Sequence, residues 1–129
     1  TEHIKSEAKK FSDLLAIQQS SGPMMIADCW VNIYGRGHSQ ESHIHANNVL
    51  SGVYYVATPS GASPIMFHSP DSDVMLSPTF SEINDYNNGA VGFEPKAGTM
   101  VMFRSHVKHS VKTSQIDGER ISVAFNLRF

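Results

Sequence analysis

The stretch HSQESHIHANNVLSGVYYV, residues 38–56, sets two histidines one residue apart just ahead of an apolar run. If that stretch is extended, alternate side chains share a face, and His43 and His45 point the same way. Two imidazoles on one face, joined by a third from elsewhere, can hold a metal ion. His109, in FRSHVKHSVK, can supply the third from a distant strand. His106 is three residues away, which on a strand means the opposite face, so only one of the two looks inward. The same residues also fit solvated histidines with no common task.

A second chemistry is written in RISVAFNLRF, residues 120–129. Ile121, Val123, Phe125 and Leu127 form one alternating face, and Arg120, Ser122, Ala124 and Asn126 form the other. A guanidinium on an inward face is expensive unless it meets an anion. Arginine grips a carboxylate through two parallel hydrogen bonds, and a serine hydroxyl can add a third. An edge strand with its polar face in water would carry the same pattern. Tyr54 and Tyr55 must point to opposite sides of their strand, whereas Trp30, Asn32 and Tyr34 share a side. An inward phenol needs a hydrogen-bond partner, which a bound acid would provide.

These residues need elements to hold them. Ile4, Ala8, Phe11, Leu14, Leu15 and Ile17 or Gln18 trace an apolar stripe at helical spacing, predicting a helix over residues 2–19. SSGP at 20–23 should end it. Beyond Pro23, MMIADCWVNIYG, VLSGVYYVAT, IMF, AVGFEP, TMVMFRS, HSVKTS and RISVAFNLRF read as short strands separated by Gly and Pro turns. Their spacing suggests an antiparallel sandwich or barrel. Residues 68–90, rich in Ser, Pro, Asp and Asn, read as a long loop that can act as a lid. The expectation is one domain over 1–129, an N-terminal helix packed on an all-β double sheet from about residue 24 onward.

With 129 residues and 40% hydrophobic content, the chain can bury a core without disulfides, and its single cysteine, Cys29, allows none within the chain. A reducing, cytoplasmic setting is the simplest expectation. The net charge of −2 offers no bulk attraction for nucleic acid or anionic membranes, and no apolar run approaches a bilayer span. The start TEHIKSEAKK does not read as a secretory signal. It begins with Thr1 rather than Met, which fits either a fragment of a longer protein or a trimmed chain. Nothing in the sequence speaks to oligomeric state.

Taken in order, WVNIYGRG, HIHANNVLSGVYYV, FEPKAGTMVMFRSHVKHSV and RISVAFN form a series over about residues 28–127. The series resembles the 2-oxoglutarate- and iron(II)-dependent oxygenases of the prolyl-hydroxylase-like superfamily. The resemblance implies a double-stranded β-helix, or cupin-like jelly roll, with Fe(II) near the barrel mouth. It implies His43, His45 and His109 as metal ligands, His45 standing where most of the superfamily has Asp. It further implies that Arg120 grips the distal carboxylate of 2-oxoglutarate beside Ser122, with Tyr54 in support and Tyr34 opposite. The implied cosubstrates are 2-oxoglutarate and dioxygen, with ascorbate as accessory reductant. A site of three neutral imidazoles carries one negative charge fewer than the common two-histidine, one-carboxylate site. Glu41 can substitute if its strand extends far enough, though the resemblance places no ligand there. Ala46 replaces a usual Pro, and FRS at 103–105 replaces FPS.

Three functions fit these residues. One is a dioxygenase hydroxylating a small molecule or a peptide side chain. Another is a cupin-like three-histidine enzyme that does not use 2-oxoglutarate, since three imidazoles also suit Zn(II) and an activated water. The last is a non-catalytic β-sandwich binding module, in which the histidines and Arg120 stay apart.

Overall fold

The computed structural model describes residues 1–18, 22–73, 76 and 78–129. A helix, α1 (Glu2–Leu14), precedes eight strands: β1 (Met25–Tyr34), β2 (Gln40–His43), β3 (Leu50–Ala57), β4 (Ile65–His68), β5 (Ala90–Phe93), β6 (Met100–Arg104), β7 (His109–Val111) and β8 (Arg120–Arg128). The strands form two four-stranded sheets, ordered β1-β8-β3-β6 and β2-β7-β4-β5. Every pairing is antiparallel. The architecture is the jelly roll of the double-stranded β-helix.

Alternation along β8 decides what lies on each side of the first sheet. Phe125 and Leu127 face outward with Leu50, and Ala8 of α1 closes over them, with Ile4, Phe11 and Ile17 packed around. The inward face meets the second sheet through Val53, Tyr55, Phe103 and Ile65, with Phe67, Val101 and Val107 against them. Gly52 pairs with Phe125 across β3 and β8, and a Cβ there would run into the Phe125 ring. Only glycine lets that ring lie flat on the strand.

The helix stops sooner than its apolar stripe suggests. Residue 19, its expected end, lies outside the described residues, and α1 closes at Leu14. The Ile17 N–H reaches Ser12 O at 2.9 Å and the Ala16 N–H reaches Asp13 O at 3.1 Å. Ala16 takes the left-handed conformation at φ 51°. This is a Schellman exit, here without its usual glycine. The turn folds Ile17 back onto the apolar cluster under the helix, so burial of Ile17 offsets the backbone conformation at Ala16.

Within 68–90, residues 74, 75 and 77 lie outside the described residues. A single 3-10 turn, Pro70–Asp73, follows β4. Further on, Asn side chains hold the chain in turns: the Asn84 N–H donates to Asn87 Oδ1 at 2.7 Å and the Tyr86 N–H to Asn84 Oδ1 at 2.9 Å. Among the described residues no helix is long and apolar enough to cross a membrane.

Candidate metal centre and acid pocket

His43 ends β2, His45 lies two residues beyond it, just before the turn at 46–47, and His109 opens β7. Their potential ligand nitrogens all lie within 4.8 Å of one another. The ring centroids are 5.0 Å apart for His43–His45, 4.3 Å for His43–His109 and 5.0 Å for His45–His109. His43 and His109 face each other because they pair directly across β2 and β7. His45 is held by its backbone, whose N–H donates to Ser105 O at 3.0 Å.

Two of the rings have a fixed tautomer. His43 Nδ1 donates to Glu41 O at 2.8 Å and His109 Nδ1 to Val107 O at 2.9 Å. A carbonyl can only accept, so these Nδ1 atoms carry the proton and each Nε2 keeps its lone pair for a metal. Burial holds His109 neutral, its pKa lowered to about 4 despite the hydrogen bond to Val107. His45 is also lowered, first by burial and then by His43, with the Asp28 charge opposing. Phe103 and Phe67 form the apolar wall behind His109, at 4.7 and 6.1 Å between ring centroids.

Glu41 contributes its carbonyl and no carboxylate ligand. A register shift between Gln40 and His43 breaks the simple alternation of β2. Gln40 and His43 line the central cavity, and Glu41 does not. His106 is exposed. His68 Nε2 instead bonds the Ser110 hydroxyl at 2.7 Å. Neither belongs to the three-histidine group.

The cavity between the sheets opens to solvent and continues from the histidines to Arg120 and Ser122. Arg120 is only 5% exposed. Its Nη1 donates to Ser63 O at 2.7 Å, and its guanidinium sits 4.7 Å from the Tyr34 ring and 5.5 Å from the Tyr55 ring. No carboxylate of the described residues pairs with it. Burial pulls its pKa down, while Tyr55 and Tyr34 oppose this. Burial raises both tyrosines, with Arg120 pulling the other way.

Tyr54 does not reach this pocket, a correction to the expectation that it would support the acid. Val53 and Tyr55 line the cavity, which turns Tyr54 to the other side of β3. Tyr34 lines the cavity, but its hydroxyl is turned to Gln40 Oε1 at 3.4 Å. Three buried polar atoms around the guanidinium lack any partner: Arg120 Nε, Ser122 Oγ and Tyr55 Oη. Buried donors of this kind are normally satisfied, so three together mark a place built for an acceptor. Tyr55 was the residue missed; the signal available was that only one of two adjacent tyrosines can share the inward face with Val53.

A jelly roll whose cavity holds three converging imidazoles and a buried guanidinium without a carboxylate partner is the architecture of the cupin-like metal-binding folds. The family described as "Putative 2OG-Fe(II) oxygenase" matches residues 28–126, and the chain belongs to it. No curated protein sequence matches the chain. Among solved structures it is similar to an oxidoreductase of the 2OG-Fe(II) oxygenase family from Burkholderia pseudomallei, at 16% identity and TM-score 0.68, over 92% of this chain and 50% of that one. It is similar to a Pseudomonas putida prolyl-4-hydroxylase at 18% identity and TM-score 0.64, over 95% of this chain and 61% of that one. A cupin domain from Bordetella pertussis aligns at 13% identity and TM-score 0.50, over 82% of this chain and 92% of that one. The chain thus spans between half and two thirds of the length of the two oxygenases.

Proposed function

We propose that the chain is an Fe(II)- and 2-oxoglutarate-dependent dioxygenase domain that hydroxylates a small molecule or a peptide side chain. One observation carries the reading: the unpartnered Arg120 Nε, Ser122 Oγ and Tyr55 Oη share a cavity with three histidines whose free nitrogens converge. The binding-module reading, in which the histidines and Arg120 stay apart, finds no support in that arrangement.

The donor set fits the groups that family membership implies. Two imidazoles that donate from Nδ1 and turn Nε2 inward, with a third beside them, suit a divalent ion of borderline softness. Arg120 and Ser122 offer a fork and a hydroxyl to a carboxylate, with the Tyr55 hydroxyl completing its hydrogen bonds. Iron held by His43, His45 and His109, together with 2-oxoglutarate and dioxygen, would supply the oxidation of a substrate C–H bond to an alcohol, coupled to conversion of 2-oxoglutarate to succinate and carbon dioxide. The chain's own residues orient and exclude water. Arg120 fixes the far end of the acid, Tyr34 packs against the guanidinium, and Phe67 and Phe103 keep the His109 side dry.

The test is metal analysis after anaerobic reconstitution, followed by titration of 2-oxoglutarate into the metal-loaded protein. Wild type is expected to hold about one iron per chain, and His109→Ala close to none. His106→Ala should keep its iron. Saturable 2-oxoglutarate binding, with succinate formed under air when ascorbate keeps iron reduced, supports the reading. Metal retention without any saturable 2-oxoglutarate binding would falsify it in favour of a cupin-like three-histidine enzyme.

A further inference from the structure

Arg120 lines one end of the cavity, and no other lysine or arginine lines it. The end beyond His45 has the opposite character. Trp30 projects inward from β1, is 36% exposed, and holds its ring 5.8 Å from the His45 ring at 49°. Asp28 precedes it by two residues. Asp28 is exposed and pairs with Asn126 across β1 and β8. Asn126 points inward, where its Oδ1 accepts from buried Ser51 at 2.8 Å. Its Nδ2 donates to Asp28 Oδ2 at 3.4 Å, which sets the Asp28 carboxylate on the same face of β1 as Trp30, just outside the residues that line the cavity. The ion pairs among the described residues are Lys5–Glu2, Lys9–Asp13, Lys10–Glu7 and Arg36–Asp117. Asp28 is in none of them.

We infer that this rim recognises a cationic nitrogen of the substrate, an alkylammonium or guanidinium group, between the indole face of Trp30 and the carboxylate of Asp28. The inference rests on the oxygenase reading and names the substrate class for it. Tryptophan is the strongest aromatic partner for a cation, and a carboxylate on the same strand face two residues away lies roughly 6–7 Å along the strand. That gap fits one cationic head in contact with both. An aliphatic chain running inward from the head passes His45, which places a C–H bond a few carbons from the nitrogen beside the metal centre. A carboxylate-bearing substrate would meet Asp28 as a like charge and has no cation to greet it on this side of the cavity.

Trp30 is the single tryptophan of the chain, so its emission reports on this rim alone. The protein is loaded with Fe(II) and 2-oxoglutarate under argon, the second ligand being titrated first. N-acetyl-L-lysine methylamide is then compared with its norleucine and glutamate counterparts, and n-butylammonium chloride serves as a free amine. The lysine derivative should shift Trp30 emission saturably, with a Kd at least about tenfold below that of the norleucine derivative. Asp28→Asn should erase this preference, and Asp28→Lys should turn it toward the glutamate derivative. Binding of n-butylammonium as tight as that of the lysine derivative assigns the site to free amines; a clear advantage for the derivative assigns it to peptide side chains. Equal affinity for the lysine and norleucine derivatives, or a preference that survives Asp28→Asn, overturns the inference while leaving the oxygenase reading intact. Failure of the initial 2-oxoglutarate titration overturns the oxygenase reading itself.

Discussion

The inner face of β8 carries two buried polar clusters, one neutral and one cationic, that differ in how their hydrogen bonds are met. Around Asn126, the Ser51 hydroxyl donates to Asn126 Oδ1 at 2.8 Å and shares a 2.8 Å bond with the Ser105 hydroxyl. Each serine hydroxyl there has a partner among its neighbours. Around Arg120, a few residues up the same strand, Arg120 Nε, Ser122 Oγ and Tyr55 Oη have none. Both clusters are withdrawn from water, and both carry the desolvation cost of polar groups. The first recovers it internally and acts as a brace, tying β8 to β3 and to the segment whose Ser105 carbonyl holds His45. The second leaves it outstanding, as a site does when its partner arrives from outside. Polarity in a core therefore says little about function until its hydrogen bonds are accounted for.

The comparison breaks most directly at Arg120. Arg120→Met keeps the apolar stem and removes the charge. The 2-oxoglutarate Kd should rise about 10- to 100-fold, on the order of 1.5–3 kcal/mol for a charge-assisted pair. The acid-free protein should melt no lower than wild type, because a buried cation without a carboxylate partner is itself unfavourable. Loss of the bond to Ser63 O works against this, so a fall in melting temperature with unchanged affinity would assign Arg120 to the brace rather than to the site.

Asn126→Ala should act in the opposite sense. Removing the amide strands the Ser51 donor in a dry interior, at a cost in folding stability of about 1–3 kcal/mol. Urea unfolding reads this, and calorimetry should find 2-oxoglutarate affinity within about twofold of wild type. A large loss of affinity with little loss of stability would erase the distinction between the two clusters.

Much of this was legible in the sequence, for physical reasons that can be stated. β8 alternates strictly, so RISVAFNL announced an apolar face and a polar one, and burial then turned the polar face inward. The three histidines stood out by residue type and by the close spacing of His43 and His45, although His45 lies beyond the end of β2 and His106 before the start of β7, where strand parity does not apply. Three features were hidden. The register shift in β2 that keeps Glu41 out of the cavity depends on pairing with β7, which no local pattern records. The exit of α1 at Ala16 lacks the glycine that usually marks such a turn, and is favoured by packing of Ile17 that belongs to the tertiary structure. The direction of YY in β3 is a matter of parity, and a slip of one residue exchanges the two faces completely.

That last ambiguity yields the smallest and most discriminating effect. Tyr55 is fully buried with an unpartnered hydroxyl at the cavity wall. Tyr54 is half-buried on the far side of the same strand, where α1 and the outer apolar face lie. Tyr55→Phe removes one neutral donor from the proposed acid pocket. The 2-oxoglutarate Kd should rise about 3- to 10-fold, equivalent to ~0.5–1.5 kcal/mol for a single hydrogen bond. Thermal stability should hold or rise slightly, since the hydroxyl has no partner to lose in the acid-free protein. Tyr54→Phe should leave the affinity unchanged, because its hydroxyl does not line the cavity. Isothermal titration of both variants beside wild type decides the parity of β3 in solution. If Tyr54→Phe weakens binding while Tyr55→Phe does not, β3 sits one residue out of register, and Val53 would leave the cavity wall along with Tyr55.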